Sequence, residues 1–339
     1  MFNNSSKILF LTTMISGTLI SISSSSWLSA WMGLEINLLS FIPLMNNSKN
    51  LMTTETALKY FLTQAIASSI FLVAVILSML KFSFLTQNSI NHDSLIIIAL
   101  MIKSGTAPFH FWFPSVMDGL SWINSIILMT WQKIAPMVIL SYVFWYNFIF
   151  LFIISSSIIG AIGGFNQSSI RKLMAFSSIN HIGWMLAAMS ESNKLWLVYF
   201  LFYSFLSTST ILVFNYYKIF HINQMYSMFN SSPLFKFILC INLLSMGGLP
   251  PFLGFFPKWI VIQQLTNISQ MTLVFILILT SLITLFFYMR LCYPAFLIGN
   301  TEHNWNQIEQ FKPSFNLMSL CSFISASSLP AISLLYFLL

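Results

Sequence analysis

Six ionisable side chains stand inside long apolar segments of this sequence: Glu35, Lys103, His110, Lys133, His181 and Lys258. In lipid such groups are expensive, about 3 kcal/mol for a lysine at the bilayer centre on insertion scales. They persist where they face a protein interior or a wet cavity, pair with one another, or carry protons. Glu35 lies midway along WMGLEINLLSFIP, where a lone carboxylate must be paired or protonated. Lys103 opens KSGTAPFHFWFP, which also contains His110. Lys133 sits in TWQKIAPM with Pro136 one turn on, His181 in SSINHIGWML, and Lys258 directly after PPFLGFFP. Desolvation disfavours a charged lysine and a nearby carboxylate restores it, so moving one partner could load or unload the other. That is the chemistry of a proton relay. The same residues could instead be structural ion pairs tying helices together, but buried pairs are costly and a poor glue. His181 could simply hydrogen-bond a neighbour. Lys59, four residues after Glu55, has helical ion-pair spacing and reads as a side chain reaching an interface.

The elements that must position these groups are broken helices. Proline removes a backbone donor and clashes with the preceding turn, so Pro108 must break or kink its helix. Broken backbone at membrane depth survives only when buried in protein or lining a cavity. The break has a counterpart: Pro108, Phe109, Phe113 and Pro114 of APFHFWFP match Pro251, Phe252, Phe256 and Pro257 of PPFLGFFP, with Trp112 opposite Phe255. Two proline-broken apolar segments in corresponding halves point to an inverted-repeat transport fold with ion sites at the breaks. The lysines are not equivalent within the match, since Lys103 precedes its break and Lys258 follows its own.

Composition fixes the class. Of 339 residues, 57% are hydrophobic and 6% charged, and the mean hydropathy is +0.83. Soluble domains carry about 25% charged residues. The expectation is an all-α polytopic membrane protein without a soluble domain. Hydropathy places about eleven spans, near 5–24, 27–45, 56–80, 93–113, 121–144, 147–165, 172–190, 194–219, 236–264, 270–298 and 315–338. The ninth could alternatively be a helix–turn–helix. As two sets of five, spans 2 and 7 carry Glu35 and His181, spans 4 and 9 carry the broken motifs, and Lys133 closes the first set. The domain reading is one membrane domain, 1–339, with repeats at 1–144 and 147–298 and an extra helix at 315–338. With the N-terminus inside, the inner connections hold Lys7, Lys49, Arg171, Lys172, Lys218, Lys236, Arg290 and Lys312, and the outer ones Lys81 and Lys194. That bias supports N-terminus in and C-terminus out. The net charge of +7 rests on 14 basic residues, too few for a nucleic-acid patch. Cys240, Cys292 and Cys321 read as isolated small core residues, and no dinucleotide, P-loop or metal-type motif is present.

Seven ordered blocks resemble one family over essentially the whole length: MFNNSSKILF, WMGLEINLLSFIPL, KYFLTQAIAS, KSGTAPFHFWFP, TWQKIAP, RKLMAFSSINHIGWM and GGLPPFLGFFPKW. The chain resembles the antiporter-like membrane subunits of respiratory complex I, in a mitochondrially encoded, insect-like form. The resemblance implies two inverted five-helix repeats with broken helices, the first three helices of the longer members being missing. It implies a Glu35–Lys103 pair, Lys133 as central relay group, Lys258 on the way out, and further roles for His110 and His181. It further implies proton translocation across the mitochondrial inner membrane, N-terminus on the matrix side and C-terminus on the intermembrane-space side. NADH oxidation and ubiquinone reduction would supply the energy from other subunits, which would hold FMN and the Fe–S clusters, so no cofactor or metal is expected in this chain. The implied partners are other complex I subunits, notably a neighbouring antiporter-like chain and small membrane chains with buried carboxylates, together with lipid and no nucleic acid. A separate cation/proton antiporter subunit and a non-transporting membrane scaffold are the alternatives.

Overall fold

The structure, a computed structural model, describes residues 5–46, 50–79, 92–229, 233–297, 319–320 and 322–326. Hydrocarbon offers backbone groups no water, so spanning segments must close their hydrogen bonds internally. Among the described residues the regular structure is accordingly helical, with one isolated antiparallel bridge between Ser169 and His221 and no strand. Among the described residues, seven helical segments are long and apolar enough to cross a membrane, and the apolar helices over Phe148–Gly164 and Lys236–Gly247 are shorter. Ten of the eleven expected spans fall on described helices. The eleventh, at 315–338, lies outside the described residues apart from helical pieces at 319–320 and 322–326, as do Lys49, Lys81, Lys312 and Cys321.

The chain divides into two compact units, Met1–Phe152 and Ile153–Leu339. The first contains α1 (Ser5–Ser23), α2 (Trp27–Met45), α3 (Leu51–Met79), α4 (His92–Ser104), α5 (Trp112–Gly119), α6 (Trp122–Met129), α7 (Trp131–Tyr142) and the start of α8 (Tyr146–Gly164). Helices α1 and α2 meet backbone to backbone at Gly17 and Gly33. A Cβ on Gly33 would stand 2.6 Å from the Ser21 nitrogen, and one on Gly17 would stand 2.9 Å from the Asn37 nitrogen. Without a hydrophobic drive between helices in lipid, such small-residue crossings supply the packing. Ser26 caps α2 by accepting from the Ser29 N–H at 3.3 Å. The contact turns Leu34, Asn37, Leu38 and Phe41 inward.

The second unit contains the rest of α8, then α9 (Ile170–Met189), α10 (Asn193–Tyr217), α11 (Ile222–Phe229), α12 (Pro233–Gly247), α13 (Phe255–Asn267) and α14 (Met271–Leu297). Every residue of α9 from Ser177 to Met189 is buried, the mark of a helix enclosed by others. Gly160 and Gly183 let α8 and α9 close on each other: a Cβ at Gly160 would lie 2.5 Å from the Asn180 nitrogen.

Four details differ from the sequence expectation. Span 4 does not end at 113: α4 stops at Ser104 and α5 runs on to Gly119. The segment expected at 121–144 is interrupted at Thr130, where α6 ends and α7 begins, with φ −110° and ψ −71°. Pro136, inside α7, lacks the N–H that would bond the Gln132 carbonyl, so that carbonyl has no partner in the helical ladder. The connection expected between spans 8 and 9 contains α11, whose start is closed by Gln224: its Oε1 accepts from the N–H groups of Phe220 at 2.8 Å and His221 at 3.2 Å. Cys240 and Cys292 are also not isolated from each other: both are buried, free and close neighbours.

Candidate functional site

The two breaks are built alike. Gly105 stands three residues before Pro108, Gly248 three before Pro251, and both are left-handed, at φ 74° and φ 80°. In the first, Gly105 N–H bonds the Ile102 carbonyl at 3.2 Å and Thr106 N–H the Met101 carbonyl at 3.1 Å. In the second, Gly248 N–H bonds Ser245 at 3.0 Å and Leu249 N–H bonds Leu244 at 3.4 Å. This is the paired hydrogen-bond stop that a left-handed glycine gives a helix end. A tight turn follows each: Phe109–Phe111 in the first, and in the second the 3.0 Å bond from Phe252 N–H to the Leu249 carbonyl. The new helices then begin at the matched residues Trp112 and Phe255. The half-helices, 13 and 8 residues in the first case and 15 and 13 in the second, are each too short to span about 30 Å of hydrocarbon alone.

In the first unit Lys103 occupies the last turn of α4 and Lys133 the first turn of α7; both are buried. They line one cavity together with Asn37, Gln64, Gln132 and Tyr60, roofed by Trp112 and Phe113. The space open to water centres is about 20 Å³, room for about one water. Lys133 Nζ lies 5.1 Å from the centre of the Phe113 ring, within cation–π range. The walls are wired together. Gln132 Nε2 donates to Asn37 Oδ1 at 3.0 Å, Tyr60 OH reaches Gln132 Oε1 at 3.5 Å, and Gln64 Nε2 reaches the Lys103 carbonyl at 3.4 Å. Trp112 Nε1 donates to the Ile102 carbonyl at 3.1 Å, sealing the end of α4 beside Lys103.

Glu35 is half-buried on the flank of α2, and its Oε1 is buried without a hydrogen-bond partner among the described residues. It lies within electrostatic reach of Lys103 and Tyr60, but Glu35 and Lys103 are not in ion-pair contact. The exposed pair Lys59–Glu55, at 2.6 Å, is formed as its spacing suggests. His110 lies in the first break but does not line the lysine cavity; its Nδ1 is 3.2 Å from the Pro108 carbonyl and its ring lies 4.3 Å from that of Phe111.

In the second unit Lys258, in the first turn of α13, turns back across the break and donates from Nζ to the Gly247 carbonyl at 3.0 Å. That carbonyl belongs to the end of α12, where the helix dipole favours a cation. Gly248 is needed twice over, since a Cβ there would lie 3.0 Å from Lys258 Nζ as well as straining the backbone. Lys258 Nζ also stands 5.9 Å from the Trp184 ring. Trp184 stacks on Tyr199 at 6.5 Å, and the Tyr199 hydroxyl is 2.9 Å from His181 Nδ1. His181 and Lys258 thus belong to one buried cluster through two aromatic residues. Sequence reasoning missed Asn37, Tyr60, Gln64, Gln132 and Tyr199. A signal existed: Tyr60 and Gln64 are four apart in an apolar helix, and Gln132 adjoins Lys133.

Buried lysines at two similarly built helix breaks, in a membrane chain that is helical among the described residues, define the antiporter-like class, and the comparisons agree. The profile described as NADH:quinone oxidoreductase/Mrp antiporter, TM, matches residues 24–284, and that of the NADH dehydrogenase subunit 2 C-terminus matches 285–336. NADH-ubiquinone oxidoreductase chain 2 of Anopheles gambiae is 54% identical over 335 residues, covering 98% of both chains, and that of Locusta migratoria 43% over 335 residues, 97% and 98%. A chain of respiratory complex I from Thermus thermophilus has the same fold, with a TM-score of 0.81 and 22% identity over 96% of this chain and 78% of that one. A chain of the Mrp complex from Dietzia superposes with a TM-score of 0.74 at 17% identity, over 86% and 60%. The chain belongs to the NADH:quinone oxidoreductase/Mrp antiporter family and, within it, to the NADH-ubiquinone oxidoreductase chain 2 family.

Proposed function

We propose that this chain is a proton-translocating membrane subunit of respiratory complex I in the mitochondrial inner membrane, with its N-terminus in the matrix and its C-terminus in the intermembrane space. Family membership supports the setting. The observation that carries the chemistry is the shared cavity of Lys103 and Lys133, walled by a connected set of amides and a tyrosine at a helix break. The oxidation of NADH and the reduction of ubiquinone occur in other subunits, which hold FMN and the Fe–S clusters. The neighbours are a further antiporter-like chain and small membrane chains with buried carboxylates.

The mechanism is electrostatic. Glu35 is half-buried on the flank of α2, and its buried Oε1 lacks a hydrogen-bond partner among the described residues, so its charge is sensitive to a neighbouring subunit. A charge change there alters the field at Lys103. Two unit charges about 5 Å apart at an effective dielectric of about 20 interact by roughly 3 kcal/mol, about a hundredfold in a protonation equilibrium. Lys103 then passes or withholds a proton toward Lys133 through the cavity, where one water and the Gln132 and Tyr60 groups bridge the walls. In the second unit, Lys258 and His181 take the corresponding roles, with Tyr199 on the histidine.

Two measurements test this. Mitochondria are solubilised gently and run on a native gel, probed for this chain and stained for NADH dehydrogenase activity. Co-migration with active enzyme is expected; migration with a few small partners, away from that activity, would instead indicate the separate cation/proton antiporter that the Mrp likeness keeps in view. Lys103→Met should then leave the complex assembled and lower the protons moved per electron. An unchanged proton-to-electron ratio at wild-type turnover would overturn the relay.

A further inference from the structure

The second break is bridged from outside by the described helical piece at 322–326, and the bridge bears on the lysine that follows it. The Ser325 hydroxyl lies 3.2 Å from the side-chain oxygen of Asn242 on α12 and 2.7 Å from the Ser322 carbonyl of its own helix. Its carbonyl accepts from the N–H of Leu253, in the turn between Gly248 and α13, at 3.2 Å. Ser325 is completely buried and Asn242 is 1% exposed, so these polar groups have no solvent to fall back on and losing a partner is costly. Opposite them the turn lies tight on α12: a Cβ on Gly254 would collide with the Ser245 carbonyl, and the Ser245 hydroxyl itself donates to the Asn242 carbonyl at 2.8 Å.

We infer that Ser325 is a positioning residue for the relay: by bonding α12 through Asn242 and the broken turn through Leu253, it fixes the separation that Lys258 must cross to reach Gly247. Lys258 grows from α13 and its ammonium ends on α12, so its 3.0 Å contact depends on how those half-helices are held. Ser325 holds α12 and the turn that leads into α13 with two bonds of its own. Removing the hydroxyl frees α12 from the segment while leaving the backbone bond to Leu253. The Lys258 ammonium then wanders from the Gly247 carbonyl. The inference rests on Lys258 taking part in proton transfer, and its test separates the two.

Complex purified from mitochondria carrying Ser325→Ala is compared with wild type by hydrogen exchange over residues 248–256 and, in proteoliposomes, by protons moved per NADH and the pH profile of coupled turnover. Exchange across the turn should rise about tenfold, the proton ratio should fall and the pH profile should shift, while uncoupled NADH oxidation stays within about twofold. Ser325→Thr, which retains a hydroxyl, should restore all three. Adding Ser325→Ala to Lys258→Met should change pumping no further. Unchanged exchange in Ser325→Ala overturns the brace whatever happens to pumping, as does an equal additional loss in the Lys258→Met background. If Lys258→Met alone leaves pumping intact, the relay role of Lys258 fails, and exchange still decides whether Ser325 holds the turn. Should Ser325→Ala not assemble, Asn242→Ala cuts the same bond from the other helix and is read by the same exchange measurement.

Discussion

A buried lysine is tolerated in this fold because its surroundings are polar where it ends and apolar elsewhere. Lys133 is 2% exposed, yet its cavity offers Gln132, Tyr60 and a space for water, while Phe113 covers it. Gln132 is therefore more than a neighbour in sequence: it joins α7 to α2 through Asn37 and receives Tyr60 from α3. Gln132→Leu should lower coupled turnover several-fold with the complex still assembled, and Gln132→Glu, which keeps the acceptor, should lower it less. Equal rates in all three would remove the amide from the path. Glu191 shows the opposite case, in the connection between α9 and α10, where partial burial holds its carboxyl above the usual range and Oε1 lacks a partner among the described residues. A raised carboxylate value means the fold disfavours the charged form, so the cost is absent in acid and complete above the folded value. Glu191→Gln should thus slow thermal inactivation slightly near neutral pH and make no difference below about pH 4. An advantage that grew in acid would contradict the sign.

Helix breaks carry the positioning, and glycine makes them possible. At Gly105 and Gly248 the backbone is left-handed, which costs about 1–2 kcal/mol for an L side chain. Gly105→Ala and Gly248→Ala should both destabilise, but they should differ in function. At Gly105 a Cβ meets the Phe113 and Trp112 side chains at 3.3 Å, whereas at Gly248 it meets Lys258 Nζ at 3.0 Å. Gly248→Ala should accordingly depress proton pumping more than its loss of thermal stability explains; parallel losses at both positions would show that only strain is at work. Elements also explain what could be read early. The prolines announced the breaks at Pro108 and Pro251, and the match between the two stretches announced that they would be alike. The interruption at Thr130 was not visible, because no proline or glycine stands at that position to mark it.

For the molecule as a whole, the scarcity of charge dictates behaviour. Large apolar residues remain exposed on α1, α3, α10 and α14, among them Leu9, Leu19, Leu62, Leu201 and Phe275. Such a surface needs lipid or partner subunits around it. The chain should stay in the membrane pellet through an alkaline carbonate wash and leave it only with detergent; release by carbonate would argue against the spans. Of the basic residues expected in connections, Lys218 follows the end of α10, but Arg171 and Lys172 lie in the first turn of α9 and Arg290 lies inside α14, all in the second unit. There Arg171 lies over Phe220 at 4.6 Å, and Arg290 reaches the Phe165 carbonyl at 3.4 Å.

Hydropathy, the two proline motifs and six intramembrane ionisable groups were enough to give the class, the helices and the residues to watch, because apolar length and broken backbone are local properties that lipid makes unambiguous. What the chain's order could not supply was adjacency. Lys103 and Lys133 share a cavity because α4 and α7 pack together; His110 is turned to its own backbone; Lys258 folds back onto Gly247; and Ser325 arrives at the second break from far along the sequence. Hydrogen bonds and Coulomb fields act over a few ångströms, and only the packing of helices decides which distant residues come that close.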